Sequence, residues 1–241
     1  MKLIYIKKHM DLYDSEGNIT DDGFDDFYDD DFYEPRNPMI KTLKSEGPEM
    51  AYLSDFPSPF GRYIAIDAEF TGLDEKEDQL LELAACEVYN CKLTGKKFHA
   101  YINPRGEIKG TEFHGITKDT YKKLPAGYIL NDKKNLENFL AFVGNSLIFA
   151  HNPLKDIAFI NKELALCGLK ELDKSQFRCT MRMYYKKYSH TRPRKINLEA
   201  CCKTFHITGL NKHHAQDDCE KTGNLLIYLI RKKKGKKKNK K

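Results

Sequence analysis

The stretch "IDAEFTGLD" puts two carboxylates, Asp67 and Glu69, two residues apart in a run that otherwise reads as a buried strand. Side chains at i and i+2 of a strand point to one face, so both acids project together while Ile64 and Ile66 take the other. Unpaired carboxylates side by side in a desolvated place are costly. A hard divalent cation with oxygen ligands removes that cost, which makes this strand end a candidate Mg²⁺ site. Gly72 then lets the chain turn away.

Two further stretches carry acids in comparable settings. In "FAHNPLKDIAFI", Asn152 is expected to cap a helix and Pro153 to occupy its first position, with Asp156 in the first turn. In "HHAQDDCEKTGNLLIYLI", Asp218, Thr222, Leu225 and Leu229 fall on one helical stripe that points at a core. Asp217 shares a more polar stripe with Lys221, Asn224 and Tyr228, so Asp218 is the inward acid. Each piece alone has an ordinary structural explanation, such as a helix cap or a dipole partner. Their order is the specific signal: D-x-E on a strand, an acid just after a buried strand, then His-x-Ala-x-x-Asp opening the last helix.

The elements that must position these residues follow from periodicity. Residues 63–69, 80–90 and 97–102 read as strands, with "LTGK" as the turn between the second and third. Residues 135–142, 153–167, 197–205 and 218–230 read as helices, and 147–150 as a short buried strand. Strands first, then helices alternating with a strand, imply an α/β fold in which helices flank a mixed sheet.

The 241 residues suffice for one substantial domain. Charge is segregated: residues 1–60 hold 14 acidic against 6 basic residues, and the last eleven hold nine basic and no acidic ones. We divide the chain into an acidic segment (1–60), disordered or loosely docked, a domain (61–230) and a basic tail (231–241). The first seven residues are compatible with a short strand. No apolar run is long enough to span a membrane, and the N-terminus lacks a secretory leader, which predicts an intracellular protein, cytoplasmic or nuclear. Seven cysteines without a CxxC pair argue against zinc and for reduced, mostly buried thiols.

These motifs resemble the DEDDh class of 3′–5′ exonucleases in the RNase H-like superfamily, above all the proofreading (epsilon) subunit of bacterial replicative polymerases. "IDAEFTGLD", "FHGIT" (113–117), "AHNPLKDIAFI" and "HHAQDDC" carry the resemblance, which covers residues 62–230. It implies an RNase H-like, five-stranded mixed sheet, three antiparallel strands followed by parallel ones. It implies that Asp67, Glu69, Asp156 and Asp218 bind two divalent cations, Mg²⁺ with Mn²⁺ as a substitute. His213 becomes the general base, because the family pattern has histidine five before the last aspartate and alanine two after it. Helical geometry alone would instead put His214 on the Asp218 face. Phe70, Thr71, Leu73, His114, Asn152 and Lys155 become substrate-binding positions, His114 with a structural role as the alternative. Pro153 and Lys155 depart from the family's usual alanine and phenylalanine, which bears on substrate preference and leaves the ligands intact.

The implied reaction is hydrolysis of the terminal phosphodiester of DNA, releasing nucleoside 5′-monophosphates. RNA trimming and a non-catalytic nucleic-acid-binding module are the alternatives. Implied partners are single-stranded or frayed 3′ ends of DNA or RNA and a polymerase or other nucleic-acid-processing complex. Lys155, Lys212, "RPRK" (192–195) and the tail are candidate phosphate contacts. The tail is equally compatible with nuclear targeting or solubilisation. "MRMYYKKYSHTRPRK" (181–195) reads either as a base-stacking surface or as a solvated helix face followed by a loop. The acidic residues 21–31 have the charge to cover a basic groove.

Overall fold

The computed structural model describes residues 48–125, 131–188, 195–207 and 214–231. The expectations for the N-terminal strand, the acidic 21–31 stretch, 189–194, Lys212, His213 and the tail beyond 231 lie outside these residues.

Five strands, β1 (Arg62–Phe70), β2 (Leu80–Tyr89), β3 (Lys92–Tyr101), β4 (Leu147–Ala150) and β5 (Phe177–Cys179), form one sheet in the order β3-β2-β1-β4-β5. The β1–β2 and β2–β3 pairs are antiparallel, and β1–β4 and β4–β5 are parallel. This is the mixed five-stranded arrangement expected above. The helices are α1 (Thr111–His114), α2 (Lys118–Lys122), α3 (Asp132–Val143), α4 (Leu154–Leu166), α5 (Thr180–Tyr188), α6 (Leu198–Thr204) and α7 (Ala215–Ile230). No helix among the described residues is long and apolar enough to cross a membrane.

The two faces of the sheet are covered by different helices. On the Ile66 face, Phe98 meets Phe139 of α3 at 5.4 Å and Phe70 stacks on Phe159 of α4 at 4.4 Å. On the Asp67 face lies α7, whose Ala215 and Cys219 pack on Ala65, Ala84 and Cys86. Small side chains on both sides allow that approach. One helical turn on, Gly223 continues the stripe: a Cβ there would stand 3.0 Å from Leu93 and 3.1 Å from the Cys86 sulfur. Cover on both faces leaves β2 buried along nearly its whole length.

Several local expectations are corrected. The hairpin turn is Asn90–Cys91, both with positive φ (47° and 59°), and "LTGK" lies inside β3. There the register slips opposite Glu87, and Gly95 takes φ 83°, so the glycine marks a bulge rather than a turn. Asn152 does not cap α4 with its side chain; it turns the chain with φ 74°, and Pro153 holds the cap position. Residues 48–54 form a 3₁₀ turn that packs against β5 and α5, with Leu53 fully buried. All seven cysteines are free thiols, five of them buried.

Candidate metal centre and active site

Asp67 and Glu69 occupy the end of central strand β1, on the face that α7 covers. Asp156 sits in the first turn of α4, which follows β4 directly, and is 8% exposed. Asp218 sits in the first turn of α7. Because β4 runs parallel to β1, its carboxyl end delivers α4 beside the end of β1. Oxygens of Asp67, Glu69 and Asp218 all lie within 4.8 Å of one another.

The electrostatics match this crowding. Burial, then Asp156, Glu69, Asp218 and Glu82, hold the Asp67 carboxyl well above its ordinary range. Burial and the neighbouring charges of Glu82, Asp218 and Asp156 push Glu69 up to about 8. Burial pushes Asp156 up to about 7, against the hydrogen bond from its own backbone N–H. Such carboxylates give up their protons most readily to a cation that replaces them. Oxygen donors alone, converging from β1 and α7 with the Asp156 charge of α4 beside them, suit a hard divalent ion. The Lys221 ammonium, itself largely buried, already pairs with Asp218 at 2.6 Å.

The expected substrate positions divide. Leu73 is 69% exposed at the lip of the loop that follows β1. Phe70 is half-buried, stacked on Phe159. Thr71 is buried; its hydroxyl donates to Asp78 (3.0 Å) and accepts from the Gln79 N–H (3.0 Å), so it braces the loop. Lys155 Nζ donates to the Leu73 carbonyl at 2.8 Å and pairs with Glu75 at 3.1 Å. The lysine that departs from the family pattern thus ties α4 to the lip. His114 is buried with both ring nitrogens engaged, Nδ1 accepting from the Ile116 N–H and Nε2 donating to the Lys109 carbonyl. That is the structural alternative. In residues 181–188, Tyr184 and Tyr188 are buried among Phe205 and its neighbours, and Lys187 caps the end of α7 through the Leu229 carbonyl (2.7 Å). These two tyrosines serve the core. His214 is exposed at the N-cap of α7.

Three contributors escaped the sequence reading. Lys162 donates to the carbonyls of Glu75 and Asp78, both at 2.8 Å, and clamps the lip loop from α4. His151 is half-buried, held between the Thr180 hydroxyl and the Ile196 carbonyl, and desolvation of its ring lowers its pKa to about 4, so it is a neutral staple behind the Asn152 turn. Glu82 is 2% exposed opposite Glu69. Only Glu82 left a signal: a lone carboxylate in the apolar run "LLELAAC".

Fold and site together define an RNase H-like α/β nuclease domain. The family model described as Exonuclease (RNase_T) matches residues 64–226. This chain belongs to that exonuclease family, and so to the hydrolytic nucleases. It is 31% identical over 174 residues to the DNA polymerase III subunit epsilon of Rickettsia conorii, covering 70% of this chain and 74% of the relative. It is 28% identical over 222 residues to the PolC-type DNA polymerase III of Halalkalibacterium halodurans, covering 91% of this chain and 13% of that protein. Among solved structures, E. coli exonuclease I in complex with a dT13 oligonucleotide superposes with a TM-score of 0.60 at 14% identity, covering 70% of this chain and 41% of that one.

Proposed function

We propose that this protein is a divalent-cation-dependent 3′–5′ exonuclease that shortens DNA from its 3′ end and releases nucleoside 5′-monophosphates. The observation that carries the reading is the convergence of Asp67, Glu69 and Asp218 within 4.8 Å at the end of β1, in a chain of the exonuclease family. The preference for DNA is supported by relatives named as DNA polymerase III proteins. Proofreading beside a polymerase is the setting this favours.

In this reading Asp67, Glu69, Asp156 and Asp218 would together hold two divalent cations. Two divalent cations, when bound, supply positive charge to the attacking and leaving oxygens of phosphodiester hydrolysis. His213 takes the proton of the attacking water; an ordinary histidine pKa near ~6.5 suits that step at neutral pH. The Leu73 lip, fixed by Lys155 and Lys162, bears on the terminal nucleotide.

The test incubates 5′-labelled single-stranded DNA and RNA of matched sequence with the protein, in Mg²⁺ or with chelator, beside Asp218→Ala. A ladder shortening from the 3′ end of DNA, abolished by chelator and by the substitution, is the expected result. Faster shortening of RNA than DNA would overturn the substrate assignment. Absence of cleavage in Mg²⁺ and Mn²⁺ with binding intact would overturn the enzymatic reading.

A further inference from the structure

Glu82 carries chemistry that the four proposed ligands do not account for. It lies on β2 as the register partner of Glu69, and side chains of paired residues share a face. Ala84, two residues on, pairs with both Asp67 and His99. Asp67, Glu69, Glu82 and His99 therefore all project from the same face of three adjacent strands. A carboxylate 2% exposed at such a place needs partners for both oxygens. It has them: Oε1 meets His99 Nε2 at 2.6 Å, and Oε2 accepts from the Ala215 N–H at 3.3 Å.

The second contact is the informative one. Ala215 is the first residue of α7, and its N–H is among the donors that a helix start leaves without an intrahelical acceptor. An anion at that point also complements the positive end of the helix. Asp218 follows three residues later, and His213 precedes by two. From the geometry we infer that Glu82, oriented by His99, is a positioning residue that straps the start of α7 to the sheet and so sets Asp218 against Asp67 and Glu69. This inference rests on the cation-dependent reading above. With both oxygens engaged, Glu82 acts through the helix and not as a ligand. Its negative charge beside Glu69 also strengthens the pull of the cluster on a cation.

The test compares Glu82→Gln, His99→Gln and the wild type by Mn²⁺ calorimetry and by amide hydrogen exchange over residues 215–218. Glu163→Gln, which perturbs another fully buried carboxylate, there paired with Arg105, is the structural control. Glu82→Gln is expected to weaken Mn²⁺ binding by about ten-fold or more, as losing an outer partner of metal ligands does. It should also speed exchange at the start of α7, with His99→Gln moving both readouts in the same direction by less. Glu163→Gln should change neither. Unchanged Mn²⁺ affinity and exchange in a folded Glu82→Gln protein would overturn the inference and leave the exonuclease reading standing. If that variant does not fold, unchanged values in His99→Gln overturn it equally. A wild type that neither binds Mn²⁺ nor degrades DNA would overturn the exonuclease reading itself, and this inference with it.

Discussion

Asp218 shows how much of a site a single residue type can announce. Of the two adjacent acids at 217 and 218, helical spacing selects the second as inward, and its carboxylate is the one that meets Asp67 and Glu69. Its tie to Lys221 was not legible, because the same stripe argument put Lys221 on a polar face. Yet the ammonium is 12% exposed and lies 2.6 Å from Asp218. A fixed cation on a proposed metal ligand would compete with the metal. Lys221→Met is therefore expected to tighten Mn²⁺ binding by about three- to five-fold, the range of a modest ion pair. Calorimetry on the folded variant checks this; equal or weaker affinity would count against it.

At the scale of elements, long periodic segments were readable and short ones were not. β1, α4 and α7 carry clear alternation or helical stripes, and these three hold the acids. β5 has three residues, too few for a period, and its neighbour α5 was disguised by tyrosines that look like a stacking surface. Glycines misled where their role was positional, as at the β3 bulge. Gly72 is the opposite case. A Cβ there would stand 2.2 Å from the Asp78 carboxylate, which holds the Thr71 hydroxyl and the Asp74 N–H. Gly72→Ala must push Asp78 out and release the lip loop. A loss of about 1–3 kcal/mol is expected by denaturant titration, with a raised KM for DNA. An unchanged KM would separate the lip from substrate binding.

At the scale of the whole molecule, the cluster makes stability depend on protons and cations together. Glu69 near 8 and Asp156 near 7 stand above their ordinary values of 4.5 and 3.8. The folded, metal-free chain thus binds more protons than the unfolded one between those limits. That stabilisation is complete below about pH 4 and is lost as pH rises through 7 and 8. Chelated protein is expected to lose Tm from pH 5.5 to 8.5, and saturating Mg²⁺ to raise Tm more at pH 8.5 than at pH 5.5. A Mg²⁺ effect independent of pH would contradict the shifted carboxyls. The antiparallel-then-parallel character of the sheet was legible through the family resemblance, whereas the strand order was not, since periodicity gives strands and does not say which lie side by side.

The clustered acids come from β1 and α7, with Asp156 of α4 beside them, and α7 begins about 150 residues after β1. Contacts that distant in sequence close late, because a long loop must be ordered before they form. During synthesis, Asp67 and Glu69 leave the ribosome well before Asp218 exists. A partial chain has a sheet with two acids on it and no third wall. The cluster, and any cleavage that depends on it, becomes available only when α7 docks across β1 and β2, so completion of the domain and onset of nuclease activity are one event.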